Sequence, residues 1–227
     1  MSTRNLQERV LAANVALGAR ALGTYGNVSE VDRDAGVMAI KPSGVPYAEL
    51  TVDGISVVSL DGELLSGLRP SSDTPTHLEL YRAFGVIGGI AHTHSTYASS
   101  WAQARRPIPC LGTTHADHVN GDVPCTRTLT DEECGDDYER MTGVAIVEAL
   151  EGLDPLEVPF ALVASHGPFA WGVSAEAAVE HAAALEQIAR LAFNTVVLDA
   201  TIDAVPAALL ERHFRRKHGT TAYYGQR

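Results

Sequence analysis

Leu6, Val10, Leu11, Val15, Ala19 and Leu22 recur at three- and four-residue spacing. This predicts an amphipathic opening helix of about four turns, ended by Gly23. Shorter apolar runs follow. Val28 to Val31 and Gly36 to Ile40 read as paired strands joined by the charged turn Asp32-Arg33-Asp34. Lys41-Pro42-Ser43-Gly44 breaks the second strand. Ile55 to Leu60 is a further strand with a turn at Asp61-Gly62. Thr74-Pro75 starts a helix that runs to about Phe84, with Thr74 as N-cap and proline at the first helical position. Ile87 to Ala91 is a short buried strand, and Thr96 to Ala104 is helical. Arg106 to Cys125, rich in Pro, Gly and Thr, reads as mostly loop.

Thr130-Asp131-Glu132-Glu133 resembles a capping box, limited by Gly135. Met141 to Leu150 is a helix. Phe160 to Ala164 and Phe169 to Val173 are strands around Ser165-His166-Gly167-Pro168. Ser174 then caps a long Ala-rich helix, about Ala175 to Ala200, and Ala207 to Lys217 forms the last helix before a polar tail. No linker divides the chain. Strands in pairs with helices between them predict one α/β domain over residues 1–227, a three-layer α/β/α sandwich. The hairpins favour a mixed, largely antiparallel central sheet.

The chain of 227 residues, 45% hydrophobic, can bury a full core. A net charge of −11 argues against general nucleic-acid or anionic-membrane binding. It is compatible with an enzyme that holds an anionic substrate by local positive groups. No apolar stretch reaches the roughly 20 residues of a membrane span, and Met1 to Arg9 lacks the apolar segment of a signal peptide. Cys110, Cys125 and Cys134 are odd in number and show no C-x-x-C spacing. They read as reduced thiols, the expectation for a cytoplasmic protein.

The candidate chemistry gathers in the segments between elements. His92 and His94 close the strand beginning at Ile87, and residues two apart on a strand share a face. Two neutral imidazoles are half of a divalent-metal site, and His166, held by a turn before Gly-Pro, could complete it. Ser71-Ser72-Asp73 precedes a helix N-terminus, which favours an anion. Asp73 could cap that helix, or reach a metal or a substrate proton. Gly26-Asn27 and Lys41-Pro42-Ser43-Gly44 offer backbone N–H groups and one cation, the makings of a phosphate cradle. Asp117 lies in the polar run Thr113 to Asp117 and could be a solvated carboxylate or a proton carrier. The basic tail around Arg212 to His218, followed by Tyr223-Tyr224, could dock on the body or on another subunit.

Taken in order, Tyr25-Gly26-Asn27-Val28-Ser29, Ile40 to Val45, Pro70 to His77, Gly88 to Ser95, Gly112 to Asp117, Ser165 to Gly172, Arg216 to Gly219 and Ala222 to Gln226 resemble the L-ribulose-5-phosphate 4-epimerases of the class II, metal-dependent aldolase/epimerase family. The resemblance covers nearly the whole chain. It implies Asp73, His92, His94 and His166 as the metal set, with Zn2+ as cofactor and Mn2+ or Co2+ as alternatives. It implies Gly26, Asn27, Lys41, Ser43, Gly44, Ser71, Ser72 and Thr113 as substrate contacts, with His213 and Arg216 near the site. Asp117 and Tyr224 match the two proton carriers. It further implies a homotetramer in which the tail, about 212–227, contributes to a neighbouring subunit's site. The expected partner is a small sugar phosphate, with no nucleic acid and no membrane.

The chemistry so implied is retro-aldol cleavage of C3–C4, rotation of glycolaldehyde phosphate, and re-addition to a metal-held enediolate. Tyr25 stands where tryptophan is expected, and His118 where tyrosine is expected. The nearest alternative is an aldolase of the L-fuculose-1-phosphate type, in which glutamate is expected at the position of Asp73 and no match to Asp117. A dehydratase or a non-catalytic scaffold on the same fold is more remote.

Overall fold

The computed structural model describes residues 2–20, 25–218 and 222–223. The opening helix α1 spans Thr3–Ala19, with the Ser2 hydroxyl accepting from Asn5 N–H as its cap. Leu22 and Gly23, the expected end of this helix, lie outside the described residues. Strands β1 (Gly26–Asp32) and β2 (Val37–Ile40) follow, then β3 (Ser56–Ser59) and β4 (Leu64–Ser66). Helix α2 (Thr74–Ala83) leads to β5 (Gly89–Thr93), α3 (Thr96–Gln103) and the single turn α4 (Thr113–Ala116). The chain continues with α5 (Tyr138–Ala149), β6 (Phe160–Leu162), β7 (Pro168–Gly172), α6 (Ala175–Leu198) and α7 (Ala207–Lys217).

The seven strands form one sheet in the order β4-β3-β2-β1-β5-β7-β6. Every ladder in it is antiparallel. The parallel component of the expected mixed sheet reduces to one isolated bridge, Cys125 to Leu162. Helices α1 and α6 cover one face, and α2 with α5 covers the other. The three layers are therefore as expected, because strand residues are buried on both sides.

Two corrections concern helix starts. Asp73, not Thr74, is the N-cap of α2, and Pro75 stands second in the helix. Thr74 is unavailable as a cap because its hydroxyl donates to Ser71 O within the preceding turn. Thr130 and Glu133 do exchange the two hydrogen bonds of a capping box, yet they close only a turn. Strand β4 was not legible: its three residues are all exposed at the sheet edge, so no alternation marks them.

A few side chains tie the layers together. Glu30 on β1 takes an ion pair from Arg9 of α1 and the N–H of Ala175 at the start of α6. A carboxylate there also suits the positive end of α6. Arg33, in the turn after β1, donates to the carbonyls of Tyr81 in the last turn of α2 and of Phe84 and Ile87 beyond it. Asn14 is fully buried and joins α1 to β1. Its amide donates to Val10 O and Val28 O, and its carbonyl accepts from Val28 N–H. Replacing Asn14 with alanine strips the acceptor from Val28 N–H inside the core. The expected cost is about 1–3 kcal/mol, read as a lower midpoint in urea unfolding.

Candidate metal centre and active site

Strand β5 lies between β1 and β7, and its register decides what faces the cleft. Asn27 pairs with His92, which pairs in turn with Phe169. Residues directly opposite on neighbouring strands share a face, so Asn27, His92 and Phe169 stand side by side under α2 and α5. His92 is only 2% exposed. Its ring stacks on Phe169, with centroids 4.2 Å apart and planes at 19°. Its Nδ1–H donates to Pro168 O at 3.0 Å, which leaves the Nε2 lone pair facing outward. His94, one residue beyond the strand, brings its own Nε2 to 3.1 Å from His92 Nε2.

His166 comes from the β6–β7 hairpin. Ser165 before it has φ +66°, the left-handed region, held by Ser165 N–H to Ala102 O and by Arg105 Nε donating to Ser165 Oγ. This turn places His166 against the other two histidines, and one nitrogen of each lies within 4.8 Å of the others. Two nitrogens on a tetrahedral ion with bonds of about 2.0–2.1 Å would stand about 3.3 Å apart. The donor set therefore fits a divalent metal. Burial pushes His92 down to about 3 and lowers His166 from its ordinary value, so both rings are neutral and able to ligate at neutral pH.

The three histidines open into a cleft of about 620 Å³ lined also by Gly26, Asn27, Lys41, Ser43, Gly44, Ser71, Ser72 and Asp73. The loops read as a phosphate cradle are built by chain pairing. Loops 41–44 and 69–73 are joined by Ser43 N–H to Arg69 O, Ser71 N–H to Lys41 O and a Pro42–Pro70 bridge. The N-terminus of α2 opens beside them. Gly44 sits at φ +71°, a backbone conformation that favours glycine. At Gly26 a Cβ would come within 2.6 Å of His92 O, so glycine is needed for close approach to β5. Tyr47 donates from its hydroxyl to Gly26 O, and Lys41 Nζ lies 5.2 Å over the Tyr47 ring. Burial lowers the Lys41 pKa from its ordinary value.

Asp73 borders the cleft with a carboxylate engaged by Asn27 Nδ2 at 2.6 Å. Burial alone would raise its pKa, but His92, His77 and the Asn27 amide outweigh burial and hold it below the usual carboxylate range. It makes no capping bond to α2. Its oxygens are not among the closely grouped metal-donor atoms, which are those of the three histidines. Tyr25 is 73% exposed at the cleft mouth, its ring edge-on to His94 at 6.4 Å.

Other expected site residues lie elsewhere. Thr113, Asp117, His213 and Arg216 are not among the described residues that line this cleft. Asp117 instead gathers α7. His213 Nδ1–H donates to it at 3.0 Å, Arg216 donates to both carboxylate oxygens at 2.9 and 2.6 Å, and Lys217 Nζ is 3.7 Å away. His218 Nε2–H donates to the Asp117 carbonyl at 3.0 Å. Burial pushes the Asp117 carboxyl up, but the hydrogen bonds from Arg216 and His213 prevail and its pKa falls below 3.8. His118 sits in the same region, where burial and then Lys217 lower its pKa. Tyr224 lies outside the described residues.

Among the described residues that line the cleft, Pro46, Tyr47, Tyr138 and Glu139 escaped sequence reasoning. Tyr138 and Glu139 form the first turn of α5, which begins three residues before the expected Met141. The Asp136-Asp137 pair ahead of Tyr138 is the kind of acidic helix start that could have marked it.

A model of the class II aldolase and adducin N-terminal domain matches residues 9–193. The chain belongs to this family. It is 47% identical to an L-ribulose-5-phosphate 4-epimerase, UlaF, of Salmonella paratyphi B, over 99% of this chain and 100% of that one. The corresponding Salmonella typhi enzyme is equally similar. Among solved structures, an L-fuculose 1-phosphate aldolase superposes with a TM-score of 0.82 at 26% identity, covering 95% of this chain and 97% of that one. YgbL of Klebsiella pneumoniae, described as a putative aldolase/epimerase/decarboxylase, gives a TM-score of 0.74 at 30% identity, covering 93% and 99%. The chain is thus an enzyme-family member with the class II aldolase fold. No described helix is long and apolar enough to cross a membrane.

Two outcomes follow from this geometry. Replacing His166 with alanine leaves two of three nitrogens, and elemental analysis of the purified variant should show bound metal well below one ion per chain. The Asp117 contacts should be pH-sensitive in one direction. A folded-state pKa below 3.8 means that their stabilisation is present above that pH and lost as the pH falls through the folded value. Hydrogen-exchange protection across 207–217, corrected for the intrinsic rate at each pH, should fall in acid in the wild type. It should already be low at neutral pH in Asp117→Asn.

Proposed function

We propose that this chain interconverts L-ribulose 5-phosphate and D-xylulose 5-phosphate. The observation that carries the reading is one cleft holding both a three-histidine donor set and the paired loops 41–44 and 69–73 at a helix N-terminus. The first suits a carbon–carbon bond-breaking reaction, and the second suits a phosphate. Full-length similarity to the Salmonella epimerases supports the same substrate pair.

C4 of the substrate carries no acidic proton, so its configuration is inverted by breaking and remaking C3–C4. A base takes the C4 hydroxyl proton, the C3–C4 electron pair moves onto the three-carbon fragment, and C4 becomes the aldehyde of glycolaldehyde phosphate. Gly26, Asn27, Ser43, Gly44, Ser71, Ser72 and Lys41 hold the phosphate while the aldehyde turns. Re-addition to the opposite face and protonation of the C4 alkoxide give the epimer. A divalent ion on His92, His94 and His166, with Asp73 beside it, supplies Lewis-acid stabilisation of the developing negative charge. We assign zinc as that ion, with manganese or cobalt able to substitute.

Asp117 and Tyr224 are assigned as the two proton carriers, one for each face, with Thr113, His213 and Arg216 near them. Asp117 is tied to α7 and stands outside its own chain's cleft. This suits a site shared between subunits, and we assign a homotetramer in which a neighbouring subunit's tail completes each site. The reading places the enzyme in the cytoplasm.

Purified, zinc-loaded protein incubated with L-ribulose 5-phosphate should yield D-xylulose 5-phosphate in a coupled assay, and a chelator should abolish the conversion. Asp117→Asn should lower the rate by about 10²–10⁴. Metal-replete protein that leaves the substrate untouched would sink the proposal. Release of free aldehyde from L-fuculose 1-phosphate would instead favour the aldolase suggested by the neighbour at TM-score 0.82.

A further inference from the structure

The ring planes of His92 and His166 are set in different ways. His92 is locked by a backbone carbonyl and by stacking on Phe169. His166 has a fixed backbone, through His166 N–H to Val163 O and the left-handed Ser165. Its side chain, however, is only part-buried at the cleft wall. The polar side chain against it is Tyr138, whose hydroxyl lies 3.2 Å from His166 Nδ1.

Tyr138 is itself firmly placed. Its N–H bonds to Gly135 O, and its carbonyl accepts from the buried Thr142 hydroxyl at 2.9 Å. The next residue's carbonyl, Glu139 O, accepts from Thr76 Oγ1, which pins the start of α5 to α2. A side chain on so fixed a turn can orient its neighbour.

A neutral imidazole exists as two tautomers, and only the nitrogen without a proton can ligate. With the proton on Nδ1, His166 donates to the Tyr138 oxygen and keeps the Nε2 lone pair for an ion. With the proton on Nε2 that lone pair is gone. The Tyr138 hydroxyl can accept from Nδ1–H or donate to a bare Nδ1, so what it fixes is the ring plane; in the ligating form it accepts, as partners behind metal-bound histidines generally do.

We infer that Tyr138 is a positioning residue of the metal centre, holding the ring orientation of His166 through its hydroxyl. This rests on the reading that the three histidines hold a metal. It gives α5 a part in the site beyond its packing on α2, and it assigns a role to a cleft residue that contributes no ligand of its own.

The test is Tyr138→Phe in the full chain, which keeps the ring and removes the hydroxyl. The dissociation constant for Zn2+ is measured by competition with a chromophoric chelator, without reference to activity. The expected result is binding about ten- to a hundredfold weaker than wild type, with the metal-free melting temperature unchanged. A change in the visible absorption bands at saturating Co2+ would show the altered ring geometry even if the variant were less stable. Unchanged zinc affinity and an unchanged cobalt spectrum, in a wild-type background that binds metal, would overturn the inference. A wild-type chain that binds neither ion would instead overturn the metal centre on which it rests.

Discussion

Strand β5 is paired on both sides, with β1 through Asn27 and His92 and with β7 through His92 and Phe169. That double pairing is the constraint on which the cleft depends. A slip of one residue would turn His92 to the α6 face and bring Ala91 or Thr93 to the cleft. The register is secured from several directions. At Gly89 a Cβ would meet the backbone of Ser174 and Ala175 at 2.3 Å, so β5 lies directly against the start of α6. Gly26 allows β1 the same closeness to His92 O. Asn14 and Glu30 fix β1 from α1 and α6. The metal-donor set is thus assembled by sheet geometry first, and by side-chain hydrogen bonds second.

The polar groups behind the site are satisfied only in part: buried Asn27 Oδ1 and His77 Nε2 have no hydrogen-bond partner among the described residues. Ser29 Oγ lies 2.7 Å from His77 Nδ1 and 2.8 Å from Tyr81 Oη, forming a buried row beneath the cleft. Burial pushes His77 down to about 4, so it stays neutral and stacks edge-on against Phe169. Asn27, on the same face of β1 as Ser29, holds both Asp73 and Ser71. One asparagine thereby links the carboxylate at the histidines to the serine loop at the helix N-terminus. The electrostatic split is simple: neutral imidazoles and an anion at one end, exposed backbone donors and Lys41 at the other.

Much of this was legible in the chain because turn chemistry punctuates it. The two-residue spacing of His92 and His94 placed them correctly, and Ser174 and Ala207 marked the starts of α6 and α7. The loops at Gly26, Ser43 and Ser71, read as candidate anion sites from their small residues, line one cleft. What failed to show depends on contacts between distant residues. Asp117 meets Arg216 across 99 positions, and nothing local distinguishes it from a solvated carboxylate. Tyr138 was missed because apolar periodicity in α5 becomes clear only after it, although the helix had already begun. Thr74 was misread as a cap because its hydroxyl has a second acceptor, Ser71 O, which pattern alone does not reveal.

The region matching the family model stops at residue 193, whereas α7 begins at Ala207. The last helix is attached to the body partly through its buried Phe214 and partly through one carboxylate, Asp117, which meets His213, Arg216 and Lys217 from within five consecutive tail positions. One acid thus serves as a common anchor. Neutralising it would release several tail contacts together rather than one at a time, so the segment is held cooperatively, while the sheet that carries the histidines is fixed by its own ladders.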